Sequence, residues 1–266
     1  MTVDASDASA WDQVQQLRKA VRAIRDHRLH GAAVQRFLTT SSPADTVESL
    51  RYLMTTIDEP GHREAHYAVV QHLVVRAGAG FDGVEAVYRA AHGAGYHPVR
   101  MLLLRAPARL VAHPEDVLPD PELLDVPLGR RKSMARGRDR DLLVRLAMDP
   151  SPPVVELLYQ NPLLLERDVV RVAARRPNMA EVLEITAGHP RWSQRYQVQK
   201  ALIHNPYCPA SISAALVPFM RGRDLAEVSQ NLRIHEVVQQ TATVLVNWRK
   251  IRRAGHSPAP TEVKAP

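Results

Sequence analysis

His62 and His66 stand four residues apart in the segment HREAH, a spacing that on a helix places two imidazoles on one face and so begins a metal site. A third ligand is missing, because His72 lies well around the helix from the pair. Glu64 also sits one position too late for the HExxH arrangement of zinc proteases. The pair is therefore expected to be two surface histidines. Gly78-Ala-Gly80-Phe-Asp-Gly83 spells GxGxxG, the pattern that cradles a dinucleotide pyrophosphate. That chemistry needs a strand ending at the first glycine, whereas YAVVQHLVVRA continues a helical segment and no alternation of strands and helices follows. A glycine-capped helix end with a tight loop is expected instead. Cys208 is the single cysteine, so an intramolecular disulfide and a cysteine-based zinc site are excluded, and no base or GxSxG surrounds it. It is expected to be a small buried residue. No catalytic constellation, cofactor or metal emerges, and the chain is not expected to be an enzyme.

The chemistry that remains is cationic. Arg130, Arg131, Lys132, Arg136, Arg138 and Arg140 crowd one glycine-punctuated segment, expected to be a flexible patch suited to carboxylate or phosphate groups. Arg167, Arg171 and Arg175 follow at four-residue intervals, and a helix over 166–176 would present them as one ridge. Glu166, Asp168 and Glu181 are placed to neutralise that ridge. The formal net charge of +7 is uneven: residues 1–128 carry 13 Lys/Arg against 16 Asp/Glu, and residues 129–266 carry 22 against 12. A basic half is compatible with an acidic protein, nucleic acid or a membrane surface, and also with an arginine-rich composition of no functional meaning.

The elements that must position these residues are helical. Ala, Leu, Val and Arg dominate and aromatic residues make up 5%, which suits helices packed by aliphatic side chains. Val14, Leu17, Val21 and Ile24 mark an amphipathic helix from Trp11 to about Arg28, broken by Gly31. Ser42-Pro43 opens a helix to about Ile57, with Asp45 in its first turn. A helix over His62–Ala77 and another from an Asp82/Glu85 cap to His92 complete five in the first ninety residues. Pro107, Pro114, Pro119, Pro121 and Pro127 then leave room only for helices of one or two turns.

From Asp149 a polar residue followed by proline recurs: Asp149-Pro150, Asn161-Pro162, Arg176-Pro177, His189-Pro190 and Asn205-Pro206. Alternate prolines lie 27, 28 and 29 residues apart, so the unit is a helix pair. Proline ends each helix and Asn or Asp bonds the local backbone at the turn. Ser151 and Asn178 are expected to cap the helices that follow. The domains expected are a disordered 1–9, a helical bundle over 10–95, an irregular connecting segment over 96–140, repeats over 141–253 closed by a long helix from about Ile234 to Arg252, and a disordered tail over 254–266.

DLLVRLAMDPSPPVVELLYQNP and ALIHNPYCPASISAAL resemble the bacterial leucine-rich repeat variant family and, more loosely, HEAT-type repeats, over about residues 140–220. The spacing here is longer, and Arg176-Pro177 and His189-Pro190 depart from the family's Asp/Asn-Pro. The resemblance implies a right-handed helical solenoid and no particular chemistry; with the helices read above, the expected fold is all-α, an N-terminal bundle running into that solenoid. The expected function is a non-enzymatic scaffold that meets an acidic protein through the nine cations named above, with nucleic acid as the alternative ligand. HEAT-like DNA glycosylases suggest a third reading through Trp192 and Trp248. None of their motif residues matches here, and Trp192 with Tyr196 is expected to pack between repeats. No signal peptide and no apolar run of about 18 residues is present, so no membrane span and a cytoplasmic location are expected.

Overall fold

The computed structural model describes residues 5–26, 29–75 and 81–254, and all regular structure among them is helical. The helices are α1 (Ala5–Ala23), α2 (His30–Thr40), α3 (Pro43–Thr55), α4 (His62–Val70), α5 (Phe81–Gly93) and α6 (His97–Leu103). Then come α7 (Leu128–Ala135), α8 (Arg140–Leu146), α9 (Pro152–Tyr159), α10 (Glu166–Ala174), α11 (Ala180–Gly188) and α12 (Tyr196–Ile203). The last three are α13 (Ala210–Leu216), α14 (Gly222–Gln230) and α15 (Glu236–Arg253). No helix among the described residues is long and apolar enough to cross a membrane.

The chain divides into two compact units. The first takes residues up to Arg105 with Ala214–Leu232 and the chain from Glu236 onward; the second takes Ala106–Ser213 with Arg233–His235. The expected boundaries shift accordingly. Residues 214–232 and the long closing helix group with the N-terminal helices, because α15 packs on α3, α6 and α14. Conversely, α7 lies inside the stretch expected as connecting segment and packs on α8 and α9.

In the first unit α3 is the central helix, packed on α1, α4, α5, α6 and α15. Its start follows from local chemistry: Pro43 stands in the first turn, and the Ser42 hydroxyl accepts from the Asp45 N–H at 3.2 Å. Beyond its exposed first turn the helix is covered by these neighbours and must settle its polar groups internally. Buried Arg51 donates from Nε to Glu48 Oε2 at 2.7 Å, and Tyr96 donates its hydroxyl to Glu48 Oε1 at 2.7 Å. Arg249 of α15, also buried, donates to the Met220 and Pro218 carbonyls at 2.7 and 2.5 Å. Three local expectations change. The first helix runs from Ala5 to Ala23, starting and ending earlier than the expected span of Trp11 to about Arg28. Gly31 breaks nothing: it is the second residue of α2, where an added Cβ would come within 2.9 Å of His72 Nδ1. The helix expected over 62–77 loosens into a π-helical turn over Gln71–Val75.

The second unit is built from short helices in two successions. In one, α7 packs on α9 and α9 on α11; in the other, α10 packs on α12 and is joined to α8 by the Arg140–Asp168 ion pair at 2.6 Å. Helix starts fall at 128, 152 and 180 in the first row and at 140, 166 and 196 in the second. Residues 106–127 hold only two single turns of 3-10 helix, Pro114–Asp116 and Pro121–Leu123, as the prolines dictate.

Candidate interaction surface

The polar residue before each proline fixes how the short helices of the second unit join. Asp149, Asn161 and Asn205 are buried, and each accepts through Oδ1 from the backbone N–H two residues on, at 2.9, 3.0 and 3.0 Å. That is the turn chemistry the sequence announces. The two asparagines do more with their amide nitrogens. Asn161 Nδ2 donates to the Ala135 and Gly137 carbonyls, both at 2.8 Å, at the end of α7. Asn205 Nδ2 donates to the Ala173 and Arg175 carbonyls at 2.7 and 2.9 Å, at the end of α10. Each asparagine thereby satisfies carbonyls that the preceding helix of its own row leaves open.

Other side chains complete the pattern. Trp192 Nε1 donates to the Tyr159 carbonyl at the end of α9, at 3.1 Å. Arg175 donates to the Met148 carbonyl beyond α8, and Arg176 to the His204 carbonyl beyond α12 at 2.5 Å. Every pair of successive helices in a row is thus tied at its C-terminal ends. Two expected caps give way to this scheme. The Ser151 side chain makes no cap bond, and the Ser151 N–H is held by Asp149. Asn178 sits one residue before the cap position, where it accepts from the Met179 N–H at 2.9 Å and donates to the Val172 carbonyl at 2.8 Å.

The nine cations sort into two groups. Arg131 pairs with buried Asp149 at 2.6 Å and Arg140 with buried Asp168 at 2.6 Å. Arg175 is half-buried and committed to the carbonyls of Met148 and Leu118. Burial lowers its pKa from the ordinary arginine value, and nearby Asp149 opposes that shift. These three serve the fold. The ridge of 167, 171 and 175 therefore does not form: α10 stops at Ala174 and Arg175 has extended backbone, φ −58° and ψ 141°. Nor is the basic segment an irregular loop, since residues 128–135 are α7.

Arg130, Arg136, Arg138, Arg167 and Arg171 are exposed, Lys132 is half-buried, and none of the six has a side-chain bond among the described residues. The Arg140–Asp168 pair brings the turn after α7 to the first turn of α10, with Arg138 two residues from one partner and Arg167 next to the other. The exposed guanidinium groups there stand on chain segments joined by that ion pair, of which Asp168 is the buried member.

The histidine pair is not on the surface. His62 and His66 are fully buried, because α4 turns Glu64 outward and sets its other faces against α1, α2 and α3. Thr56 spends its hydroxyl proton on the Tyr52 carbonyl at 2.7 Å, so at 2.8 Å it accepts from His62 Nδ1, and His62 Nε2 is left to accept from Gln15 at 3.4 Å. His66 donates from Nε2 to the Ala215 carbonyl at 3.2 Å, and its Nδ1 is buried with no partner among the described residues. Burial lowers the His66 pKa to about 4, against the opposing effect of that hydrogen bond. No group of three potential metal ligands occurs among the described residues. Cys208 is buried, which pushes its thiol pKa up to about 12. Trp192 and Trp248 are both buried and offer no face to a nucleobase. Gly78 and Gly80 of the GxGxxG stretch lie outside the described residues. No protein family, no curated protein and no solved structure matches the chain.

Proposed function

We propose that the protein is a non-enzymatic helical-repeat scaffold that binds an acidic protein partner through the exposed arginines of its second unit. The two rows of short helices support its kinship with HEAT-type and leucine-rich-variant solenoids, whose stacked units offer an extended surface. The observation that supports the binding surface is the Arg140–Asp168 pair, which joins the chain segments that carry the exposed Arg136, Arg138, Arg167 and Arg171. Arg130 extends the surface along α7. Arg131, Arg140 and Arg175 are withdrawn from the contact set and act as supports.

The test is affinity capture from the native cell with wild-type protein and with the triple variant R138E/R167E/R171E. An acidic protein recovered by the first and lost from the second supports the proposal, and identical recovered sets remove these residues from it. Nucleic acid is the second reading, favoured only by the same clustered cations. Binding that falls steeply and linearly in log–log form with salt and vanishes with nuclease would replace the protein partner by a phosphate backbone.

A further inference from the structure

Residues 106–122, which have almost no regular structure, follow the row of α8, α10 and α12 in reverse order. The Ala106 and Pro107 carbonyls accept from the Ser211 and Ala210 N–H groups at 3.3 and 3.2 Å, at the start of α13. Leu110 donates its N–H to the Pro206 carbonyl just beyond α12 at 3.0 Å. Arg175, at the end of α10, donates to the Leu118 carbonyl. Arg145, in the last turn of α8, pairs with Asp120 at 3.2 Å and Glu122 at 2.8 Å. One stretch, broken by the 3-10 turns Pro114–Asp116 and Pro121–Leu123, thus visits the C-terminal ends of three helices in turn.

Apolar anchoring of this stretch is sparse. Val117 and Leu123 are buried, but Leu110, Val111, Leu118 and Leu124 are 45%, 75%, 58% and 51% exposed. What holds it is backbone hydrogen bonding and arginine contacts, and another chain of similar chemistry can reproduce these bond for bond. We propose that the rim formed by the C-terminal ends of α8, α10 and α12 is a peptide-binding surface, and that residues 106–122 occupy it in cis until a partner displaces them. The ligand it fits is a proline-tolerant segment with a backbone carbonyl for Arg175 and, across a turn like that at Asp120–Glu122, two carboxylates for Arg145. This rests on the scaffold proposal for the kind of partner but uses a different set of residues. A cis occupant lowers apparent affinity by the fraction of molecules in which the rim is covered.

The experiment adds a fluorescently labelled synthetic peptide of residues 106–124 to the full chain and follows anisotropy. D120K/E122K, which sets lysines against Arg145 and weakens the cis segment alone, is expected to bind the peptide about ten-fold more tightly than wild type. Adding R145E re-forms the cis pairs with inverted charge and is expected to abolish binding. Equal affinity for wild type and D120K/E122K, or no binding by either, overturns the proposal. Hydrogen exchange on the wild-type chain gives an answer that needs no variant. The Leu110 amide is expected to exchange by local opening while α10 and α12 stay protected, and exchange of Leu110 only as slowly as those helices also overturns it. R138E/R167E/R171E leaves the rim intact and should bind the peptide as wild type does, so failure of the arginine surface and failure of the rim are told apart.

Discussion

The two units solve the same problem, keeping helices together, by different means. In the first, α3 beyond its exposed first turn and most of α4 are covered by neighbouring helices, and the buried polar groups His62, Arg51 and Arg249 are paired inside. In the second, α7 to α12 have seven to nine residues each. The last four carbonyls of a helix lack intrahelical partners, so in helices this short about half of all carbonyls are end groups. Isolated helices of such length are unstable in water. Bonds from Asn161, Trp192, Arg175 and Asn205 to those carbonyls are therefore a principal source of order in the second unit, whereas lateral burial dominates in the first.

The largest effect expected from this contrast is in the first unit. Leu50→Ala opens a cavity at a fully buried position of α3 and should cost about 2–5 kcal/mol in urea unfolding, with exchange protection falling in α1, α3 and α5. Acid should act on the same unit next. His66, with its pKa held near 4 by burial, stays neutral in the folded chain while the unfolded chain takes up a proton near pH 6.5. The unfolded state therefore binds more protons between those values, and the stability present above pH 6.5 is lost as pH falls toward 4, by about 3 kcal/mol at most. His62 and His97 are lowered by burial as well and add in the same direction. His66→Gln, which keeps a donor for the Ala215 carbonyl, should flatten the slope of unfolding free energy against pH; an unchanged slope would assign the acid sensitivity elsewhere.

A smaller loss is expected at a tie between helix ends. Asn205→Ala strips the Ala173 and Arg175 carbonyls of their donor and should cost about 1–3 kcal/mol. Asn205→Asp should cost more than alanine, because a carboxylate oxygen then faces carbonyl oxygens where an N–H stood. Exchange protection should fall first at the ends of α10 and α12. If the alanine variant is neutral, end ties do not distinguish the second unit and the contrast fails.

What the sequence announced and what it hid follow the range of each interaction. Proline and its preceding Asn or Asp act within two residues, so the turns at 149, 161 and 205 were legible, as was the Ser42 cap. The amide bonds of Asn161 and Asn205 reach carbonyls 24–32 residues back, and their only local sign is the choice of asparagine, which can donate, over aspartate. HREAH looked like an exposed face because Arg63 and Glu64 lie beside the histidines, and burial of the pair depends on other helices. The arginine ridge assumed a helix to 176. Pro177 biases Arg176 away from helical backbone, and the carbonyls of Met148 and Leu118 draw Arg175 out as well. Which of the nine cations serve the fold depended on distant acceptors: Asp149 for Arg131, Asp168 for Arg140, and the Met148 and Leu118 carbonyls for Arg175.

The ties from Asn161, Trp192, Arg175 and Asn205 to helix-end carbonyls join successive members of one row. Inserting or deleting a whole helix pair renews one set of ties and leaves the others untouched, so the array can vary in length across evolution at little risk. A single-residue insertion inside α9 or α12 is another matter. It rotates the following asparagine by about 100° and carries its amide off the carbonyls it serves. Each tie is thus a gauge of helix length, permissive toward how many units there are and strict about the size of each.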